Sequence, residues 1–398
     1  MEEWKKYKMS DFIDFNPTIS LKKGTVARKI TMDKLIPHSR DIYEWEYEPY
    51  SGGSKFQNGD TIMARITPCL ENGKHAFISL LNDGETAYGS TEYIVMRGIP
   101  GISDNRFVYY LSHFPDFKNA AVKSMVGSSG RQRAQLDVLK NLEFYLPGLK
   151  EQRKIADTLA ALDDKIALNN RINHNLEEQA RSLYKSWFID FEPFKDGKFV
   201  DSELGMIPEG WHIGTLSEIA DITMGQSPSG SSFNEDGHGI VFYQGRTEFG
   251  FRFPSIKLFT TEPTRFAEPH SVLMSVRAPV GDINVALDRC CIGRGLAAIT
   301  AKDEAFSFVL YTLKGKSSEL DLYNGEGTVF GSINRKDLEG LSVLIPPMSI
   351  IQQFNDCIRP IDESIEIASK EIVNLSFSRD SLLPRLMSGQ LSFDECDC

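Results

Sequence analysis

The sequence has no CxxC pair, no HxxxH, and no group of histidines and cysteines at metal-ligand spacing. No apolar run approaches the roughly 20 residues that a membrane span requires. The start, MEEWKKYKMS, lacks the apolar core of a signal peptide. Six cysteines (69, 290, 291, 357, 396 and 398) follow no regular disulfide-like spacing, so free thiols in a reducing compartment are expected. These absences predict a cytoplasmic protein with no membrane contact and no metal. Positive charge is also scarce. A net charge of −11 and a pI near 5.3 argue against a small, autonomous nucleic-acid binder held by bulk electrostatics. They leave open a binder whose positive residues are gathered on one face.

Catalytic signatures are missing too. Asn16-Pro17-Thr18-Ile19 is not the Asn/Asp-Pro-Pro-aromatic tetrad that holds a target amine for methyl transfer. Gly315-Lys316-Ser317 has Leu310 where a phosphate-cradling loop needs its first glycine, and Gly325-Glu326-Gly327 does not lead from a strand into a helix. Pro115-Asp116 is far from Asp163-Asp164-Lys165 as a nuclease signature. The expected catalytic set is therefore empty.

What the sequence does have is duplication. Between Lys150 and Trp187 there is no glycine or proline, and Ile155, Leu159, Leu162 and Ile166 recur at helical spacing, resumed by Leu176, Ala180, Leu183 and Trp187 after an Asn-rich interval. That spacing predicts one helix about 55 Å long, more than a compact domain needs to cover its own core. A second run, Phe354, Ile358, Ile361, Ile365, Ala368, Ile372 and Leu375, alternates steps of four and three, the seam of a coiled coil. Pro360 is expected to kink this helix, and Pro384 with Gly389 to end it. Pro147 falls on Pro346, and Ile155, Leu159, Leu162, Asp163 and Ile166 fall on Phe354, Ile358, Ile361, Asp362 and Ile365.

The segments before the helices repeat as well. EEWKKYKMSDFIDF aligns without gaps on EGWHIGTLSEIADI, Trp4 on Trp211, and the second copy is the shorter. Both read as short strands divided by turn residues, with helices over Arg106 to Phe117 and Phe306 to Leu313. Phe266 to Met274 parallels Phe56 to Ala64, each strand leading to an arginine and a proline: Arg65 with Pro68, Arg277 with Pro279. Each segment closes with a Gly/Ser loop and a strand. Of the 25 Phe and 13 Tyr, residues such as Phe12, Phe15, Tyr109, Tyr110, Phe144 and Tyr145 are expected in the core.

The linker DFEPFKDGKFVDSELGMIPEGW, the proline-led helix LPGLKEQRKIADTL and the ending SLLPRLMSGQLSF resemble the specificity subunit of type I restriction-modification enzymes over essentially the whole chain. Ser349-Ile350-Ile351 departs from the Lys150-Glu151-Gln152 type of helix start, and Pro346-Pro347 from Pro147-Gly148. The resemblance implies an α+β fold in which two globular mixed α/β target recognition domains, at 1–146 and 209–345, are separated by two long antiparallel coiled-coil helices, at 147–190 and, together with a C-terminal tail, at 346–398, with a linker at 191–208 and a pseudo-twofold internal duplication. It implies a non-catalytic subunit, each domain reading one half of a bipartite asymmetric site on double-stranded DNA. The helices would set the spacing and dock two methyltransferase (modification) subunits, joined by restriction (motor nuclease) subunits. S-adenosylmethionine, ATP and magnesium would belong to those partners, none to this chain.

For DNA contact the candidates lie in turns at strand ends, where Arg pairs with guanine, Asn or Gln with adenine, and Lys or Ser with phosphate. They are Arg65, Thr67, Lys74, Ser128, Ser129, Gly130, Arg131, Gln132 and Arg133 in the first domain, and Gln244, Arg246, Thr247, Arg277, Arg294, Ser332, Asn334 and Arg335 in the second. Any single one has a plainer reading as a solvated surface residue or structural ion pair. The loop-like segment Tyr243 to Arg252, rich in arginine and aromatics, is expected to touch DNA. Leu168, Ile172 and Gln179, beside the helix seam, either dock a partner or widen the intramolecular seam. The competing reading from another class is a coiled-coil interaction scaffold with two ligand-binding domains and no DNA.

Overall fold

The computed structural model describes residues 4–203, 205–324 and 331–392. Gly325-Glu326-Gly327, Cys396 and Cys398 lie outside the described residues. The chain forms two compact units, the first comprising Met1–Leu168 and Glu371–Cys398 and the second Asn169–Lys370. The division falls inside both long helices, Leu149–Phe188 and Met348–Met387, each of 40 residues.

In the first unit, strand Lys5–Lys8 pairs antiparallel with Glu143–Leu146, which ties the beginning of the globular segment to the start of the long helix. A four-stranded antiparallel sheet follows, in the order Ile13–Phe15, Tyr93–Gly98, Thr61–Ala64, His75–Phe77. All four residues of its central strand Thr61–Ala64 are buried because both faces are covered. Met63, Ile94 and Met96 turn to one side, against helix Asn105–His113 and the long helix. Ile62, Val95 and Ala76 turn to the other, against a second sheet ordered Glu46–Pro49, Val26–Ile30, Ala87–Gly89, Lys55–Phe56. Asp104 starts Asn105–His113 by accepting hydrogen bonds from the Arg106 and Phe107 amides at 3.0 and 3.3 Å. The helix expected over Arg106 to Phe117 is two, because Phe114 is extended and Pro115 opens Pro115–Lys123. Tyr145, expected in the core, is exposed, since its strand pairs on one side only and alternates outward.

The second unit repeats this topology. His212–Thr215 pairs with Ser342–Ile345, the antiparallel sheet runs Ala220–Met224, Leu296–Ala301, Val272–Ser275, Ile283–Val285, and the second sheet gains one strand, Phe233–Asn234. Register fixes the correspondence more tightly than the sequence did. Lys5 opposite Leu146 matches His212 opposite Ile345, in agreement with Trp4 falling on Trp211. However, Thr61 opposite Met96 matches Val272 opposite Ile299, one residue along from the alignment of Phe56 on Phe266. In a strand, one residue exchanges the two faces.

The linker motif adds to the core of the second unit. Phe191, Phe194 and Trp211 join Trp187, Phe188 and Phe354 in an aromatic cluster with ring centroids 4.8–6.1 Å apart.

Within each unit the two long helices pair antiparallel. Asp163 meets Arg379 at 2.7 Å and Lys165 meets Glu371 at 3.4 Å in the first, and Asn173 meets Ser369 at 3.2 Å in the second. Ile155 and Leu159 belong to the core of the first globular segment, and Phe354 and Ile358 to that of the second. Ile365 is buried, while Leu162, Ile166, Leu176, Leu183, Ile361, Ile372 and Leu375 are half-buried. Between the apolar stretches of the first long helix the buried positions are polar: Asp163, Asn169, Asn173 and Glu177. The second helix is continuous through Pro360 and through Pro384, which does not end it; it stops at Met387, with Gly389 at φ +72° just beyond.

Candidate nucleic-acid interface

In the first unit the chain leaves the central strand at Arg65, whose amide donates to the Glu92 carbonyl at 2.9 Å and whose carbonyl accepts from the Ala134 amide at 2.8 Å. Thr67 N donates to Gln132 O at 3.0 Å, and Ile66 bridges Arg133. The turn after the central strand therefore lies against the Gly/Ser loop, and Lys74, which pairs back to Ala64 at 3.0 Å, closes it. Ser128, Ser129, Gly130 and Arg131 are exposed; Gly130, at φ +75°, sits in the turn closed by Arg131 N and Ser128 O at 3.0 Å. Others are engaged within the protein. Arg133 is held protonated by its hydrogen bonds to Glu92, the closest at 2.6 Å. Thr67 donates to Glu71 at 2.8 Å, Lys74 Nζ to Met32 O at 2.8 Å, and half-buried Arg65 to Ala134 O at 3.3 Å. Gln132 is half-buried.

The second unit builds the same edge. Arg277 bridges Ser332, Ala278 N donates to Gly331 O at 3.0 Å and Val276 N to Gly295 O at 2.9 Å. Gly293 N donates to Tyr243 O at 2.8 Å, and a Cβ on Gly293 or Gly295 would meet Gln244 O at 2.8 or 3.0 Å, so these strand ends approach backbone to backbone. Gln244, Arg277, Arg294 and Ser332 are thus brought to one edge, all exposed, and the side chains of Arg277 and Arg294 have no partner among the described residues. Arg246 is exposed and ion-paired with Asp282, next to exposed Thr247. Asn334 caps helix Arg335–Glu339 by accepting from Asp337 N at 3.0 Å, and Arg335 pairs with Glu339 at 2.7 Å.

Two expectations change. Pro68 and Pro279 both follow cis peptide bonds, and Ile66 and Arg277 make the equivalent bridges, so Arg277 corresponds to Ile66 and Arg65 to Val276. The two arginines are not counterparts, which accounts for Arg65 being half-buried and Arg277 exposed. The segment Tyr243 to Arg252 does not act as one surface either. Arg252 is 2% exposed and turns inward, bonding Glu177 of the first long helix, Asp362 of the second at 2.8 Å, and the Tyr311 hydroxyl at 2.7 Å.

That inward arginine belongs to a buried polar network the sequence reading passed over. Lys314 also bonds Glu177, and Ser307 donates to Asp362 at 2.6 Å. Burial pushes the Glu177 carboxyl up, but Arg252 and Lys314 outweigh it and hold it down at about 2. Burial and the nearby Arg252 charge bring Lys314 down to about 8. In the first unit, Asp163 accepts from Tyr110 and Arg379, both at 2.7 Å. One signal for it was present: an aspartate recurs beside the same seam position in both helices, Asp163 after Leu162 and Asp362 after Ile361. Among the described residues no group of His, Cys, Asp or Glu is arranged to hold a metal ion, and no helix is long and apolar enough to cross a membrane.

A family model described as the type I restriction modification DNA specificity domain matches residues 1–178 and again 208–376. The chain belongs to that specificity family. Its two matches coincide with the two copies seen in the register of the sheets. A Methanocaldococcus jannaschii protein named as the MjaX type I restriction enzyme specificity subunit is 35% identical over 291 residues, covering 71% of this chain and 67% of its own length. The HindI specificity subunit of Haemophilus influenzae is 23% identical over 480 residues, covering 98% of this chain and all of its own. The crystal structure of a type I restriction-modification S subunit from M. genitalium shares the fold, with a TM-score of 0.59, 15% identity, and 97% and 96% coverage. These relatives are specificity subunits and not catalytic ones, and the function of this chain is DNA sequence specificity.

Proposed function

We propose that each unit of this specificity subunit reads one half of a bipartite, asymmetric site on double-stranded DNA through the edge described above. The observation that carries this is the repetition of that edge. In both units the turn after the central strand is bridged to a Gly/Ser loop, with Arg131, Ser128 and Ser129 exposed in one and Gln244, Arg277 and Arg294 in the other. Arg and Gln on a rigid strand end suit the bidentate patterns of guanine and adenine, and exposed Ser and backbone amides suit phosphate. The paired helices set the separation of the half-sites and dock two methyltransferase subunits, to which restriction subunits join. Leu168 and Ile172, both exposed although apolar, are the docking positions we assign on the helices, with exposed Gln179 beside them. Methyl transfer and cleavage, with S-adenosylmethionine, ATP and magnesium, belong to those partners. Mapping methylated adenines in the host genome identifies the site. On that site Arg277→Ala should cost the assembled complex about 1–3 kcal/mol and relax one position of one half-site. Unchanged affinity and unchanged sequence preference would sink the assignment.

A further inference from the structure

Both units place a cavity between the long helix and the first helix that follows the antiparallel sheet, but fill it differently. In the first unit it measures about 220 Å³, and two arginines of the chain line it. Arg106 reaches Asp157 and Arg40 reaches Asp164, each at 2.7 Å. The carbonyl of Arg40 accepts from Phe77 N at 3.0 Å, and that of Arg252 accepts from Val285 N at 2.9 Å on the matching strand, so Arg252 is the counterpart of Arg40. Its guanidinium goes instead to Glu177 and Asp362, the match of Asp163. Ser307 stands in the place of Arg106.

The carboxylates matching Asp157 and Asp164 are Asp356 and Glu363. Asp356 is taken by Arg359 of its own helix, which also lines the cavity. Glu363, Asp303 and Glu304 line the cavity and have no ion-pair partner among the described residues, and the cavity reaches about 600 Å³. Arg252 lines it as well, and its buried Nε has no hydrogen-bond partner among the described residues.

We propose that this cleft of the second unit receives a basic segment of a partner protein, whose arginine or lysine groups sit against Glu363, the match of the carboxylate that Arg40 fills in the first unit, and against Asp303 and Glu304. The proposal rests on the reading of the chain as a subunit that assembles with other proteins. Three observations select this occupant. The internal copy shows a guanidinium group on Asp164, the match of Glu363, the unpaired carboxylates of the cleft reject nucleic-acid phosphate, and the Arg252 Nε–H needs an acceptor that a peptide carbonyl supplies. One exposed ion pair contributes little, so binding needs several carboxylates acting together beside the apolar wall of Phe253 and Phe306.

The test uses the full chain and a fluorescein-labelled peptide carrying two arginines four residues apart among alanines, titrated by anisotropy at about 0.1 M salt, where exposed charges beyond about 10 Å are screened. Ser307→Arg and Glu363→Gln should each weaken binding about tenfold or more, while Asp164→Asn, the same charge change in the already filled first cavity, should leave it unchanged. The double variant Asp303→Asn/Glu304→Gln, on an exposed turn, gives the same readout should a helix variant misfold. Unsaturable binding, or equal losses for Asp164→Asn and Glu363→Gln, would overturn the proposal. Sequence-selective DNA binding by the assembled wild-type complex, measured in parallel, tests the reading beneath it separately.

Discussion

Arg252 joins a loop of the second recognition domain to both long helices at once, through Glu177 and Asp362. With the cation gone, Glu177 keeps Lys314 and Arg181, and Asp362 keeps only the Ser307 and Tyr311 hydroxyls. Arg252→Met should therefore destabilise the second unit by about 3–5 kcal/mol, read as a lower denaturant midpoint. The Glu177 carboxyl is held near 2 in the folded chain, below its ordinary value, so its contribution is present above the ordinary carboxylate range and is lost as pH falls from about 4.5 toward 2. Calorimetric scans across that window should show a falling melting temperature. Glu177→Gln should flatten the dependence, and an unaltered slope would show that other carboxylates carry it. On the edge proposed to face DNA, Arg246→Ala should weaken affinity less than Arg277→Ala, because Arg246 is already paired with Asp282.

At the scale of elements, the helices carry two kinds of information. Their ends are apolar and merge with the cores of the globular segments, which anchors them. The middle of the first is polar, with Asn169 and Asn173 buried and Asn173 bonded to Ser369 at 3.2 Å, a device that fixes register at some cost in stability, while the second buries Ile365 and Ala368 there. Lengthening both helices by one heptad at matched positions adds about 10 Å of rod. On the proposed reading that separation corresponds to about 3 base pairs at 3.4 Å each, so mapped methylation should show unchanged half-sites with a longer gap. Unchanged spacing would refute the role given to the helices.

For the molecule as a whole, duplication made the architecture legible from the sequence. Trp4 on Trp211 and Pro147 on Pro346 mark the two frames, and the strand registers at those points agree. The middle of each copy was less legible. Its strands are short and buried on both faces, so the alternation that fixes register is absent, and the alignment slipped by one residue there, pairing Arg65 with Arg277. The proline at 384 misled for a similar reason, since the surrounding core holds a helical turn that local propensity disfavours.

The sequence by itself determined the two repeats, the long helices between them and the family, because periodicity and duplicated punctuation are properties of the chain alone. Tertiary structure decided which arginines face solvent and which are consumed inside. Arg252 and Arg246 lie six residues apart in one segment, and only the carboxylates that folding brings beside them, Glu177 and Asp362 for one and Asp282 for the other, set their fates. An ion pair between distant residues leaves no local trace, since the partner's position in sequence carries no period and no spacing to be read.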